Sequence, residues 1–124
     1  MKPDEIKNYF NVSWEEVEKA IDYISAHLRY SEFDGIYGVP RGGLIPAYLL
    51  SRRLNLPLKS KPTKRTLVVD DISDTGKTLK GIKNKNIVTI YSSKWTKTEP
   101  DMWFYMKGDK TSWIVFPWEK RDGY

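Results

Sequence analysis

The sequence predicts an α/β protein in which a parallel, twisted sheet is flanked by helices. Short apolar segments of strand type alternate with helical segments along the chain, which is typical of parallel sheets. Two polar loops that contain glycine, "VPRGG" and "DDISDTGKT", each follow a predicted strand and open a predicted helix. Because ligands of such sheets bind at the carboxyl ends of the strands, we expect both loops to lie at one edge and to form the site.

Three helices are predicted. The first covers residues 13–28, where Ser13 and Glu16 can form a capping box and apolar residues recur at helical spacing. His27 lies near the apolar face of this helix and is expected to be structural. The second helix covers residues 43–55 and carries Pro46 in its first turn, where proline is tolerated. A short third helix is predicted for "KTLKGI", directly after the second polar loop.

The predicted strands are short and mostly buried. "GIYGV" (35–39) is an apolar run bounded by glycine and proline, and "TLVVDD" (66–71) is β-branched and then abruptly acidic, as a buried strand reaching its end would be. Further strands are predicted for "NIVTIYSS" (86–93) and "MWFYM" (102–106). "TSWIVFPWE" (111–119) is expected to be extended and to be ended by Pro117.

Length and composition restrict the class of protein. A chain of 124 residues fits one domain, residues 1–124. Its apolar runs are far shorter than the roughly 20 residues that span a bilayer, so no membrane association is expected, and no signal peptide is recognisable. The absence of cysteine excludes disulfides and agrees with a cytoplasmic location, and a single histidine excludes a multi-histidine metal site.

The formal charge of +5 favours an anionic partner, either nucleic acid or a phosphorylated small molecule. Basic residues are concentrated in "KSKPTKR" (59–65) and "KGIKNKN" (80–86). Five tryptophans together with this charge are compatible with a platform for single strands. The tryptophans are scattered, however, and no RNA-binding motif is present, so no nucleic-acid partner is expected.

The second polar loop and its preceding strand read "LVVDDISDTGKT". This stretch ends in Gly-Lys-Thr, as an ATP-binding P-loop does. A P-loop needs glycine five residues before its Gly-Lys-Thr glycine, and that position here is Asp71, whose carboxylate would face the phosphates. Asp70 and Asp71 can instead accept hydrogen bonds from two ribose hydroxyls, and one of them can hold a hydrated Mg²⁺. The turn "DTGKT" offers backbone N–H groups and threonine hydroxyls to one phosphate. The stretch is therefore suited to a ribose 5-phosphate.

This stretch resembles the ribose-phosphate signature of the type I phosphoribosyltransferases, which have a Rossmann-like fold and use phosphoribosyl pyrophosphate (PRPP) with Mg²⁺. The resemblance implies that Asp70 and Asp71 hold the ribose and the metal, and that five following residues complete the PRPP site: Asp74, Thr75, Gly76, Lys77 and Thr78. Members that act on 6-oxopurines carry aspartate directly before Thr-Gly, as Asp74 stands here. In them this carboxylate faces N7 of the purine and serves as general acid and base.

The first polar loop agrees with this resemblance. "GVPRGGLIPAYLLSRRLNLPL" is similar to the pyrophosphate loop and following helix of the bacterial xanthine-guanine enzymes. The implied PRPP-binding residues are Pro40, Arg41, Gly42 and Gly43. In the family, the peptide bond that enters the basic residue can be cis, and here it joins Pro40 to Arg41.

The carboxyl-terminal segment "SWIVFPWE" is similar to the part of the xanthine-guanine enzymes that holds the base. Trp113 would stack on the purine, and the backbone of Ile114 would contact its 2-position. Lys94 corresponds, within one position, to a lysine that donates to the purine 6-oxygen. Val115 replaces an acid of the family pattern, which leaves the choice among guanine, xanthine and hypoxanthine open.

The chain departs from the family most clearly at residues 59–65, where a long hairpin and mobile loop should close over the site. The basic residues of this shortened segment either supply charge to pyrophosphate or form a solvated linker, of which the linker is favoured. Two functions stay open: a Mg²⁺-dependent 6-oxopurine phosphoribosyltransferase, and a non-catalytic sensor that binds PRPP or a nucleotide on the same fold. The family usually forms homodimers or homotetramers.

Overall fold

The computed structural model describes residues 6–82 and 86–119. Residues 83–85, which belong to the basic segment 80–86, lie outside the described residues. The helices are α1 (Trp14–Leu28), α2 (Leu44–Leu54) and the short α3 (Lys77–Lys80). The strands, in chain order, are β1 (Asn8–Asn11), β2 (Gly35–Gly38), β3 (Thr66–Ser73), β4 (Ile87–Ser93), β5 (Met102–Lys107) and β6 (Ser112–Val115).

The main sheet has the strand order β2-β3-β4-β5, and each neighbouring pair is parallel. The predicted α/β class with a parallel sheet is therefore confirmed. Since the strands run in the same direction, their carboxyl ends meet at one edge. The register places Ser73 of β3 beside Ser92 of β4, and Ser93 beside Lys107 of β5. Both polar loops begin at this edge, as expected.

The local signals at the ends of the two long helices agree with the structure. The Ser13 hydroxyl accepts a hydrogen bond from the Glu16 N–H, and the Glu16 carboxylate accepts one from the Ser13 N–H, which completes the capping box. Helix α2 ends at Asn55 in the left-handed conformation, where asparagine is tolerated. Val17, Ala20, Ile21 and Ile24 are the buried residues of α1 and belong to the main hydrophobic core.

Two strand predictions need correction. Strand β3 extends beyond the two aspartates to Ser73, because Ile72 and Ser73 continue to pair with β4. Asp70 and Asp71 therefore lie inside the strand and not at its end. Residues 8–11 were not predicted as a strand, yet β1 pairs in parallel with β6 to form a second, two-stranded sheet. This pairing is between segments about a hundred residues apart, so local pattern did not indicate it.

The shortened segment 59–65 and its flanking residues follow the outer side of β2. Leu58 forms a bridge with Ile36, and the Lys59 ammonium lies 3.4 Å from Asp34 Oδ2. The hydroxyls of Thr63 and Thr66 also donate to the Asp34 carboxylate. These contacts agree with the linker interpretation of the segment.

In the part of the chain that the structure describes, every helix is too short or too polar to cross a membrane.

Candidate active site

A cavity of about 270 Å³ lies at the carboxyl edge of the main sheet. Both polar loops contribute to its wall. It is lined by Pro40, Arg41, Gly42, Asp70, Asp71, Ile72, Ser73, Asp74, Thr75, Gly76, Lys77, Thr78 and Leu79. Of the residues that the sequence assigns to PRPP, only Gly43 is outside this lining. The structure therefore brings the two loops together as the topology predicted.

Asp70 and Asp71 contribute two buried carboxyl groups to this cavity. Each side chain binds the backbone of the next residue: Asp70 Oδ1 accepts from the Asp71 N–H, and Asp71 Oδ1 accepts from the Ile72 N–H, both at 2.8 Å. Burial, together with the neighbouring charge of Asp71, raises the pKa of Asp70 to about 8. Two adjacent carboxylates in so small a space repel each other, and a cation or ligand hydroxyl groups would relieve that repulsion.

This pair of carboxyls fits a hydrated Mg²⁺. The ion binds proteins through one or two carboxylates and keeps water or substrate oxygens as its other ligands. Among residues 6–82 and 86–119 there is no group of three or more acidic, histidine or cysteine side chains arranged to hold a metal. Asp70 and Asp71 are the adjacent buried carboxyls of this cavity that could hold such an ion.

The loop from Pro40 to Gly43 is packed against β3. The Pro40–Arg41 peptide bond is cis, as the resemblance implied. A β-carbon placed on Gly42 would lie 2.2 Å from Asp71 Oδ2, so the loop backbone passes directly against this carboxylate. Gly43 is equally confined, because a β-carbon there would lie 2.3 Å from the Val69 carbonyl oxygen. The small residues of this loop allow its backbone to approach the acidic pair.

The turn from Thr75 to Thr78 is held from outside by the loop after β4. Gly76 has a φ of 84°, in the left-handed region, and opens α3. The Thr98 hydroxyl donates to the Gly76 carbonyl at 2.8 Å, and the Lys97 N–H donates to the Thr75 carbonyl at 3.2 Å. The turn therefore has a fixed conformation, with the Thr75 and Thr78 side chains exposed at the cavity wall.

Gly76→Ala is expected to weaken the binding of PRPP. A β-carbon at Gly76 would lie 2.5 Å from the Thr98 backbone nitrogen, and alanine in the left-handed conformation costs about 1–2 kcal/mol. Isothermal titration of PRPP measures the effect. Gly81→Ala is the matched control, because a β-carbon at Gly81 meets nothing within 4 Å. Equal PRPP affinity in both variants would contradict the assignment of this turn.

Asp74 is held by three neighbours at the junction of β3, β4 and β5. The Lys107 ammonium lies 3.0 Å from Asp74 Oδ2, and the Trp95 indole N–H donates to Asp74 Oδ1, also at 3.0 Å. The Ser93 hydroxyl donates to the Asp74 backbone carbonyl. The Lys107 side chain is only 3% exposed. Asp74 is therefore fixed through both carboxylate oxygens and its backbone.

A second cavity, of about 400 Å³, adjoins this junction. Its wall includes Ile114 of β6 and the end of β5. It is lined by Phe10, Glu16, Tyr91, Tyr105, Met106, Lys107, Gly108, Asp109, Ser112 and Ile114. Lys107 connects the two cavities, because it lines the second one and its ammonium pairs with Asp74 in the wall of the first.

The residues that the sequence assigned to the base are less closely grouped. Ile114 lines the second cavity, but Lys94 and Trp113 line neither of the two. The exposed Lys94 side chain runs beside Gly108, where a β-carbon would lie 3.5 Å from Lys94 Cε. Trp113 is half-buried and pairs with Tyr9 in the small sheet.

Sequence reasoning missed Lys107 and Trp95, which contact Asp74. One signal was available for Lys107: it is a charged residue directly after the predicted strand 102–106, and the strand ends of a parallel sheet meet at the site edge. No comparable pattern marked Trp95. None of residues 59–65 lines either cavity, but Lys59 and Ser60 line a third one together with Pro40 of the first polar loop.

Comparisons with known proteins agree with this geometry. No protein-family model matches the chain. The chain is 27% identical to xanthine-guanine phosphoribosyltransferase of Chromohalobacter salexigens over 150 residues, covering 100% of this chain and 92% of the relative. It is 30% identical to the enzyme of the same name from Idiomarina loihiensis over 140 residues, covering 89% and 86%.

A solved structure gives the same result. The crystal structure of purine phosphoribosyltransferase from Pyrococcus horikoshii Ot3 superimposes with a TM-score of 0.77 at 34% sequence identity, covering 90% of this chain and 95% of that chain. Sequence identity at this level over nearly the whole of both chains indicates that the two proteins share an ancestor as well as a fold. The two polar loops, the acidic pair between them and these relatives together show that the chain belongs to the type I phosphoribosyltransferase family.

Proposed function

We propose that the protein transfers the ribose 5-phosphate group of PRPP to a 6-oxopurine base, namely guanine, xanthine or hypoxanthine, and releases pyrophosphate. The observation that carries this proposal is the contact between Asp74, in the wall of the first cavity, and Lys107, in the wall of the second. One cavity has the acidic pair and the two backbone turns that suit PRPP, and the other adjoins Lys107 and Ile114. The relatives named xanthine-guanine phosphoribosyltransferase support the choice of base.

The first cavity is proposed to hold PRPP. Asp70 and Asp71 accept hydrogen bonds from the ribose hydroxyls and ligate Mg²⁺, while the backbone and hydroxyls from Thr75 to Thr78 bind the 5-phosphate. The loop from Pro40 to Gly43 binds pyrophosphate, with Arg41 supplying positive charge. When bound, Mg²⁺ would neutralise charge on the pyrophosphate oxygens.

The second cavity is proposed to hold the purine, with Asp74 at its N7. As N9 of the base bonds to C1′, the bond from C1′ to pyrophosphate breaks, and the proton on N7 passes to Asp74. The ribose ring carries positive charge while this bond exchange takes place, so positioning and stabilisation of the leaving pyrophosphate contribute much of the rate. Ile114 contacts the base from β6, and Trp113 and Lys94 are proposed to complete the base site.

The shortened segment 59–65 favours a second candidate, a sensor that binds PRPP or a nucleotide without turnover. Lid closure excludes water and completes the site in many enzymes. Here Lys59 is bound to Asp34 and to the Ile36 carbonyl at the edge of β2, away from Asp74. Turnover distinguishes the two candidates.

Release of pyrophosphate from PRPP and Mg²⁺ tests the proposal, with guanine, xanthine, hypoxanthine, adenine and orotate offered separately. Release with one or more 6-oxopurines is the expected result, and adenine and orotate are the matched negative substrates. A sample that binds PRPP in calorimetry but releases no pyrophosphate with any base would contradict the enzyme and favour the sensor.

We also propose that the enzyme acts as a homo-oligomer, as the family resemblance implies, and that it works in the cytoplasm, with which a sequence without cysteine agrees. Size-exclusion chromatography with light scattering tests the assembly, and a monomer at all protein concentrations would contradict it.

A further inference from the structure

Lys107 and Trp95 form a clamp on Asp74 that the assigned chemistry does not use. The Lys107 ammonium and the Trp95 indole N–H each lie 3.0 Å from a different oxygen of the Asp74 carboxylate. Both donors come from elements other than the one that carries Asp74: Lys107 ends β5, and Trp95 follows β4. Three separate segments therefore converge on one carboxylate.

The two donors also contact each other. The Lys107 ammonium lies 5.5 Å from the centre of the Trp95 ring, within range of a cation–π interaction. A lysine side chain that is 3% exposed needs a partner, because an unpaired buried ammonium is costly. Asp74 is that partner, and the indole N–H restricts the rotation of its carboxylate.

The clamp leaves Asp74 able to accept further hydrogen bonds. An ionised carboxylate has about four acceptor positions on its two oxygens, and Lys107 and Trp95 occupy one on each oxygen. The Ser93 hydroxyl fixes the backbone carbonyl of the same residue. The carboxylate is therefore held in one orientation and still has acceptor positions that these two donors do not occupy.

We propose that Lys107 and Trp95 are positioning residues of the transfer reaction, which hold the Asp74 carboxylate so that its remaining acceptor positions meet the N7–H of the purine. The inference rests on the proposed function and adds residues to it. Without the clamp, Asp74 would rotate among several orientations, and the hydrogen bond to N7 would weaken. Acid–base transfer needs hydrogen-bond reach and geometry in the bound complex.

The test compares two isosteric bases in which a ring N–H and a ring C–H exchange places between positions 7 and 9. 9-Deazahypoxanthine carries N7–H, whereas 7-deazahypoxanthine has a C–H group there and cannot donate to Asp74. Calorimetry in the presence of ribose 5-phosphate, pyrophosphate and Mg²⁺ gives both dissociation constants without any transfer. The native protein is expected to prefer the N7–H base by about 10- to 100-fold, the range for a hydrogen bond to a charged group.

The variants Lys107→Met and Trp95→Phe are expected to reduce this preference to about threefold or less, because a mobile acceptor contributes less hydrogen bonding. Trp95→Phe keeps an aromatic ring, so it tests the clamp even if Lys107→Met does not fold. Lys110→Met is the matched lysine control: its exposed ammonium lies 5.4 Å from the same ring centre, and no hydrogen bond joins it to Asp74 within residues 6–82 and 86–119. Trp14→Phe, in the first turn of α1, is the tryptophan control.

A purely structural role would weaken both bases equally and leave the preference unchanged, and that result would overturn the inference. A native protein with no preference would also overturn it, because Asp74 would then not meet N7. In either case pyrophosphate release by the native protein would still support the proposed function. Absence of release with every base would instead contradict the proposed function itself.

Discussion

Asp74→Asn is expected to lower kcat by about 10²–10⁴-fold, the usual contribution of general acid–base catalysis, while the affinity for PRPP changes by about threefold or less. The reason is that an amide cannot accept the N7 proton, although it can still accept the hydrogen bond of the Trp95 indole. Asp70 and Asp71 are proposed to hold the ribose and the loop from Pro40 to Gly43 the pyrophosphate, so these contacts remain in the variant. Steady-state kinetics and PRPP titration measure the two effects separately.

The same substitution has a structural effect that must be separated from the catalytic one. It leaves the Lys107 ammonium buried without its anion, and we expect a loss of stability of about 1–3 kcal/mol. Adding Lys107→Met to Asp74→Asn should recover most of this stability, because the unpaired charge is then removed. Turnover should stay low in the double variant. Thermal denaturation and kcat are measured on both proteins.

Asp22→Asn serves as the control, since Asp22 is an exposed acid on α1 that pairs with Arg53. It should leave kcat and PRPP affinity near the native values. Recovery of turnover in the double variant would show that the loss in Asp74→Asn came from stability alone. An equal loss of turnover and PRPP affinity in Asp74→Asn would also refute the acid–base role.

Asp70→Asn is expected to stabilise the metal-free protein at alkaline pH and to weaken PRPP binding. Burial, reinforced by the charge of Asp71, raises the pKa of Asp70 from 3.8 to about 8. The folded protein therefore keeps a proton that the unfolded chain releases. The contribution of this proton to the free energy of unfolding is fully present below about pH 4. It is lost as the pH rises through about 8, so the native protein becomes less stable over that range.

Asparagine has no charge to bury at any of these pH values. Its oxygen can still accept from the Asp71 N–H, which is 2.8 Å from Asp70 Oδ1 in the native protein. At about pH 9 the variant is expected to be more stable than the native protein by several kcal/mol, and the difference should shrink as the pH falls and nearly vanish at about pH 4. Thermal denaturation in a chelating buffer over this pH range measures both quantities.

The affinity for PRPP and Mg²⁺ should fall by about 10- to 100-fold in Asp70→Asn, because a charged acceptor for the ribose and metal is lost. Part of the alkaline loss of stability should persist in the variant. Burial, and to a lesser degree the charge of Asp71, raises the pKa of Glu119 to about 7, so Glu119 acts in the same direction. An identical pH dependence in native protein and variant would contradict the buried state of Asp70.

Much of the lining of the first cavity could be predicted because its parts are contiguous in sequence. The turn at Gly76 and the loop at Gly42 carry their own signals, namely glycines between a strand and a helix, and the parallel sheet brings them to one edge. The capping box of α1 was readable for the same reason. Residues within four positions of each other determine these features, and such features depend little on the rest of the chain.

The partners of Asp74 could not be identified in this way. Lys107 and Trp95 contact it only because β3, β4 and β5 are adjacent and in a certain register, and register is determined by packing across the whole sheet. The same holds for β1, which exists as a strand through its pairing with β6. The sequence pattern predicted the strands and loops. It did not predict which side chains from different strands contact each other.

The short connection between α2 and β3 has a consequence for self-association. Strand β2 is at the border of the main sheet, where unpaired backbone groups invite another chain to add a strand. Ile36 donates its N–H to the Pro57 carbonyl and accepts from the Lys59 N–H, both at 2.8 Å, so its main-chain groups are occupied within the molecule. Residues 57–59, at the start of this short connection, thus occupy the backbone groups of Ile36 that an added strand would need.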